Sequence, residues 1–345
     1  MGDILTQREK EVLRYIVENF IKLAQPVGSR EISKKTDLNL SSATIRNVMS
    51  DLEDKDLLNT PHTSSGRVPT DKAYRYYVDL LMSKGNLSDK EKSIFKKQLE
   101  EIKNYSIQDD DVYSETSKIL GKISHQLAIV TQPFLSAGIF EKLELISVSY
   151  NKILVVINLK SGIVRTVILE VDVEIQQIKL ENLARYLNEK LHGLTLKQIR
   201  DTYSKRISDL NLQELNLIQL FINSIDKIYG EEEKGNKIYI SGTGEIITQP
   251  EFGDPKKLQN IIEISENKNL VIHIFQNTVK DKDEINISIG SENTEEKLKD
   301  YSIICTTYKF GDVKGNIGII GPKRIDYPKM ISLIEYTSRL ITEDF

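Results

Sequence analysis

The chain has 345 residues, 39% of them apolar, enough for two or three domains with buried cores. Its net charge of −4, from 47 basic against 51 acidic residues, excludes a general polyanion binder but leaves room for a local basic face. The single cysteine, Cys305, excludes an internal disulfide and a cysteine zinc site, and fits a reducing compartment.

The N-terminus from Met1 to Glu11 is polar, and no run approaches the roughly 18 apolar residues of a membrane helix. The expectation is a cytoplasmic protein. Thr6, with Glu9 three residues on, forms a capping-box pattern, and Leu13, Ile16, Phe20 and Leu23 then recur at helical spacing. Gln25-Pro26-Val27-Gly28 breaks that helix. Ser29 is placed to cap a short second helix, Arg30 to Thr36, and Asp37 to Leu40 is the turn. Ser41 caps a third helix, about Ser42 to Lys55, with Ile45, Val48, Met49 and Leu52 on one face. Leu57 to Thr70 carries Pro61, Gly66 and Pro69, a loop whose ends, 57–59 and 67–68, pair as a small hairpin. Asp71 opens a further helix through Tyr74, Tyr77, Val78 and Leu81.

Ser83-Lys84-Gly85-Asn86 reads as a linker, followed by a polar helix, Ser88 to Asn104, and a longer one, Val112 to Leu127. Strand-like segments then run 127–130, 143–148, 153–159 and 164–171. Leu180 to His192 is helical, as is the Leu/Ile-rich stretch from Leu194 to Tyr229. Next come a strand at 237–241, a helix at 258–265 and a strand at 270–275. Strands at 285–289, 302–308 and 316–320 precede a final helix, Tyr327 to Ile341.

The third helix carries the candidate chemistry. With Ile45, Val48, Met49 and Leu52 turned inward, about 100° per residue puts Ala43, Arg46, Asn47 and Ser50 outward, with Ser42 and Thr44 on the flanks. These side chains are small or hydrogen-bonding, and only one is charged, which suits the reading of base edges in a major groove. Arg46 has the geometry for guanine and Asn47 for adenine. Ser42 and Thr44 stand where a phosphate meets the amides of a helix start. An ordinary surface helix is the competing explanation. The following loop, with His62, Ser64, Ser65, Gly66 and Arg67, has a small-residue tip and a cation beside a glycine, as a wing lying on a DNA backbone needs. Residues 1–82 hold twelve basic and twelve acidic residues, so arrangement and not total charge decides.

Pro26-Val27-Gly28-Ser29, the run Ser42 to Met49, Leu52-Glu53, the run Pro61 to Thr70 and Tyr74-Arg75-Tyr76-Tyr77-Val78-Asp79 together resemble the heat-inducible transcription repressor (HrcA) family. Gly242-Thr243-Gly244, Gln249-Pro250-Glu251-Phe252 and the run Gly318 to Tyr327 continue the resemblance. It spans nearly the whole chain in order, and the central stretch matches mainly in hydrophobic pattern. Ser65 and Ile325 stand where family members often have alanine and methionine.

The resemblance implies a multidomain α+β fold: an N-terminal winged helix-turn-helix over 1–82, a helical linker over 83–104, and a GAF-like α/β domain over 105–193 and 277–345. An inserted α+β dimerisation domain is expected over 194–276. It implies a repressor of chaperone operons that binds double-stranded DNA, an inverted-repeat operator of the CIRCE type, as a homodimer. A GroEL-type chaperonin is expected to keep it active, and neither cofactor nor metal is expected. The alternative is a winged-helix repressor gated by a small molecule in the GAF-like domain.

Enzymatic readings find little support. Gly242-Thr243-Gly244 lacks the third glycine of a dinucleotide loop and is expected to turn a hairpin. Gly315 to Pro322 lacks the Lys-Ser/Thr ending of a P-loop, so turns flanking a buried strand explain it better. His62, His125, His192 and His273 have no metal spacing. Asp109-Asp110-Asp111 is expected in a solvated linker, with a weak divalent-cation site as the other reading. Cys305 lies in an apolar strand pattern, as a buried thiol would. Tyr74, Tyr76 and Tyr77 are expected to pack the helix after the wing.

Overall fold

A computed structural model describes residues 5–35, 40–61, 66–105, 109–171, 174–206, 218, 219, 222, 225, 238–278 and 284–344. Two compact units account for the chain. One comprises Met1–Val130, Tyr239–Thr306 and Ile317–Thr337; the other comprises Thr131–Ile238, Thr307–Asn316 and Ser338–Phe345.

The first unit begins with three helices, α1 (Gln7–Leu23), α2 (Ser29–Lys35) and α3 (Ser42–Asp54), followed by a two-stranded hairpin, β1 (Leu58–Asn59) and β2 (Val68–Pro69). Thr6 caps α1 through a complete capping box with Glu9. Gly28, not Ser29, accepts the first amides of α2, from Glu31 and Ile32. Val12, Leu13, Ile16 and Val17 of α1 meet Ile32, Ile45, Met49 and Leu52 in one apolar core, all buried. Leu23 departs from its expected inward place. It is 54% exposed at the last position of α1, and Ala24 after it closes the helix in a left-handed conformation. The hairpin pairs Leu58 with Pro69 and Asn59 with Val68.

Thr70 caps α4 (Asp71–Tyr76), which continues as a π-helical turn to Leu81. Tyr74 and Tyr77 are buried. The expected linker after it is anchored instead. The Ser332 hydroxyl donates to the Gly85 carbonyl at 2.7 Å, and a Cβ on Gly85 would lie 2.2 Å from the Pro328 carbonyl oxygen. Helices α5 (Asp89–Tyr105) and α6 (Asp109–Ser124) follow. Residues 109–111, expected in a linker, open α6.

A five-stranded sheet comes next, with β3 (Leu127–Thr131) in it. The remaining strands of that sheet are β7 (Ile238–Ser241), β8 (Asn286–Ile289), β9 (Tyr301–Phe310) and β10 (Val313–Pro322), in spatial order β7-β3-β10-β9-β8. Every residue of β3 is buried, so both faces of the sheet are covered there. Gly315, Gly318 and Gly321 lie inside β10 and not in flanking turns. Gly242 has φ +92° and starts one helical turn, α9 (Thr243–Ile246), where a hairpin was expected. Helices α10 (Pro255–Glu266), α11 (Lys268–Thr278) and α12 (Tyr327–Asp344) lie further along the chain. The expected strand at 270–275 is therefore helix. Val271, Ile274 and Phe275 are buried at helical spacing, and Asn267 accepts the Leu270 amide at 3.0 Å.

Charged groups tie the winged-helix segment to the rest of this unit. Arg75 of α4 pairs with Glu292 and donates to the Ile287 carbonyl at 2.8 Å. Asp71 pairs with Lys323 at 2.6 Å and accepts the Ser291 amide at 2.8 Å. Arg324 pairs with Glu251 and donates to the Ile21 carbonyl at 2.8 Å, capping the end of α1.

The second unit contains the antiparallel sheet β4 (Phe140–Ser149), β5 (Lys152–Leu159) and β6 (Val164–Glu170), then α7 (Gln177–Leu191) and α8 (Leu196–Arg206). Phe140, Leu143, Val155, Ile157, Leu159 and Leu169 of the sheet share a core with Leu180, Leu187, Leu191 and Ile199 of the helices. The segment 194–276 is divided between the units, α8 with β4–β6 and α9 to α11 with the five-stranded sheet. A strand's apolar pattern marks that it is buried, but its partners are fixed by distant pairing.

Candidate nucleic-acid interface

Ser41 fixes the start of α3: its Oγ accepts the Thr44 amide at 3.1 Å and lies 3.0 Å from the Thr44 hydroxyl. From that cap the helical period sorts the side chains. Ile45, Met49 and Leu52 are buried, at 0%, 3% and 0% exposure. Ala43, Arg46, Asn47 and Ser50 are exposed along the opposite face, with Ser42 and Thr44 half-buried beside them. Val48, expected inward, is half-buried. Arg46 makes no hydrogen bond or ion pair among the described residues, so its five donors are open to a ligand.

The wing begins beside this helix. His62, Ser64 and Ser65 lie outside the described residues. Gly66 and Arg67 lie at its base. A Cβ on Gly66 would sit 2.8 Å from the Pro26 carbonyl carbon, so only glycine allows this approach without a shift. Arg67 and Val27 exchange backbone hydrogen bonds of 2.9 and 3.0 Å, adding a bridge from the turn before α2 to the hairpin.

The Arg67 side chain is turned toward α3 and engaged by Glu53: Nε and Nη2 each stand 2.9 Å from Glu53 Oε2. Thr60, on the other side of the loop, donates to Glu53 Oε1 at 2.6 Å. The Thr60 hydrogen bond and then Arg67 hold the Glu53 carboxyl below the usual carboxylate range, against the opposing effect of burial. Sequence reasoning quoted Glu53 without giving it this role. Nothing in the spacing of positions 53, 60 and 67 shows that the chain folds them together.

The other candidates do not gather into a site. Among the described residues no group of three His, Cys, Asp or Glu side chains could hold a metal. Cys305 is buried, and burial pushes its thiol up to about 12. No helix among the described residues is long and apolar enough to cross a membrane.

Two family models match the chain. One, described as the winged helix-turn-helix transcription repressor HrcA DNA-binding domain, covers residues 4–79. The other, the HrcA protein C-terminal domain, covers residues 110–331. Among curated proteins, the chain is 37% identical to the heat-inducible transcription repressor HrcA of Chlorobium phaeobacteroides (strain BS1), over 96% of each chain. It is 40% identical to the protein of the same name from Chlorobaculum parvum (strain DSM 263 / NCIMB 8327), covering 98% of this chain and 97% of that one. Among solved structures, a hypothetical protein at 2.2 Å resolution shares the fold over 98% of each chain, with TM-score 0.61 and 21% identity.

Proposed function

The chain belongs to the HrcA family of heat-inducible transcription repressors, with a winged-helix DNA-binding domain, and from that premise we propose that it silences chaperone operons from an inverted-repeat operator of the CIRCE type. The observation that carries this reading is the outward face of α3, where Ala43, Arg46, Asn47 and Ser50 stand exposed over a buried Ile45-Met49-Leu52 side. Arg46 and Asn47 read base edges, Ser42 and Thr44 meet the backbone at the helix start, and the wing carrying His62, Ser64, Ser65 and Gly66 lies along the adjacent backbone. The protein acts in the cytoplasm, where its operator is.

A two-fold operator calls for a two-fold protein, one reading helix per half-site. The three-stranded sheet supports this part of the reading. One of its faces packs on α7 and α8, while on the other Ile146, Leu154 and Ile168 form a cross-strand row. Ile146 is 40% and Ile168 57% exposed, with Val148 and Val164 nearby at 59% and 48%. Such an apolar face fits a second copy of the chain better than water. The long-range strand pairing of the five-stranded sheet, where β3 pairs with β10, makes folding slow, which is where a chaperonin would act and where heat would remove activity.

A second reading, gating by a small molecule, has one observation in its favour. A cleft of about 390 Å³ is lined by Arg75, Asn286, Ser288, Glu292 and Ile303, among others. Several of its polar groups are already engaged by the protein: Asn293 donates to the carbonyls of Gly290, Leu298 and Tyr301, and Arg75 is held by Glu292. The temperature-responsive reading is therefore preferred. A footprint on the chain's own chaperone promoters, ramped through heat shock with and without chaperonin, tests it. Protection of an inverted repeat that fades on heating and is restored by chaperonin is expected. Absence of protection at any temperature contradicts it.

A further inference from the structure

The wing is fixed to the reading helix through one carboxylate. Glu53 sits in the last turn of α3, 33% exposed, on the side that faces the hairpin. Its two oxygens are divided between the two roots of the wing loop: Oε1 takes the Thr60 hydroxyl, and Oε2 takes Arg67 through both Nε and Nη2. The Arg67 side chain is only 20% exposed. Its backbone is pinned as well, by the bridge to Val27, and the neighbouring Gly66 lies against Pro26 with no space for a side chain. Three segments that form a winged helix, the turn before α2, the end of α3 and the wing, thus converge on one point.

We propose that Glu53 is a positioning residue for DNA binding, gathering Thr60 and Arg67 so that the wing is held at a fixed angle to α3. Arg67 thereby serves the clamp and not a phosphate, the role its sequence context suggested. A carboxylate near the DNA face repels phosphates unless its charge is taken up, and Arg67 does that here. A wing held in place also loses less conformational freedom when it meets DNA. The inference rests on the DNA-binding reading of α3.

The two roles for Arg67 predict opposite signs for the loss of Glu53. Removing a negative charge from a DNA-facing surface raises affinity by electrostatics alone, and more so if it frees an arginine for a phosphate. Loss of a clamp lowers affinity. The experiment titrates the full chain against a duplex carrying the inverted repeat of its own chaperone promoter, over a series of salt concentrations, with the urea midpoint of each variant measured beside it. Glu53→Ala is expected to bind about tenfold more weakly, Arg67→Ala by a similar factor, and the double variant no more weakly than either. The charge-exchanged pair, Glu53→Arg with Arg67→Glu, is expected to recover most of the affinity. The salt dependence of Arg67→Ala is expected to match that of the unaltered chain.

Glu53→Ala binding as tightly as the unaltered chain, or more tightly, overturns the clamp, as does a salt slope lowered by about one in Arg67→Ala. Losses that add in the double variant overturn it too. Should Glu53→Ala fail to fold, Thr60→Val removes one hydroxyl from the clamp, and unchanged affinity in that variant overturns the proposal. Arg46→Ala is the internal control. If it and the unaltered chain both ignore the repeat, the DNA-binding reading itself has failed, an outcome separate from failure of the clamp.

Discussion

Arg75 meets Glu292 through two hydrogen bonds, Nε to Oε1 at 2.8 Å and Nη2 to Oε2 at 2.5 Å. The residues are 217 positions apart, one on α4 and one in the turn after β8. β8 is the edge strand of its sheet, and an edge leaves backbone groups without partners. The pair supplies them: Arg75 donates to the Ile287 carbonyl, and Glu292 accepts the Ile289 amide at 2.9 Å. Arg75→Ala should therefore cost about 1 kcal/mol of stability, since both groups are partly solvated. It should also speed hydrogen exchange at Ile289. Unchanged exchange there would show that the edge is protected by other means.

Gly85 tests whether 83–86 is a tether or a packed segment. Alanine there is driven against the backbone of Pro328, which cannot move aside as a flexible side chain could. Gly85→Ala should destabilise by about 1–3 kcal/mol, read as a lower urea midpoint. A free linker would tolerate the change within a few tenths of a kcal/mol.

Neighbouring positions on α3 should behave in opposite ways. Ile45 is fully buried, and Ile45→Ala should cost about 2–5 kcal/mol with a matching fall in the urea midpoint. Arg46 is exposed, and Arg46→Ala should leave stability within about 0.5 kcal/mol. Equal losses of stability at both positions would mean that the helix face is assigned wrongly.

Glu9 gives a pH test. Burial works to raise its pKa, but hydrogen bonds from Lys55 and Thr6 outweigh it and hold the carboxyl below its ordinary 4.5. A lowered folded value means the stabilisation is complete above about pH 4.5 and is withdrawn as pH falls through the lower folded value. Glu9→Gln should lower stability at neutral pH and flatten the decline of the urea midpoint below pH 4.5. Parallel curves for the two proteins would remove Glu9 from the acid response.

Local order explains what was legible in the sequence. The Thr6–Glu9 capping box, the Ser41 cap and the sorting of Ile45 against Arg46 depend on residues within one or two turns, so the pattern determines them. At 270–275 the run of Val, Ile and Phe favoured a strand by composition, and the helix was decided by the Asn267 cap and burial at helical spacing. The strands β4 to β6 were visible, but nothing in them said that they join α7 and α8 in one core and leave the five-stranded sheet to other segments. The Glu53–Arg67 pair was hidden for the same reason. Fourteen positions separate the two residues, and only the folded hairpin brings them within 2.9 Å.

The most direct measurement is a pair of binding titrations on the full chain, unaltered and Arg46→Ala, each against the inverted-repeat duplex and a scrambled duplex of equal length. The unaltered protein should prefer the repeat strongly, and Arg46→Ala should lose about 1–3 kcal/mol of that preference while its binding to the scrambled duplex changes far less. Undiminished preference for the repeat in Arg46→Ala would take base reading away from this face of α3.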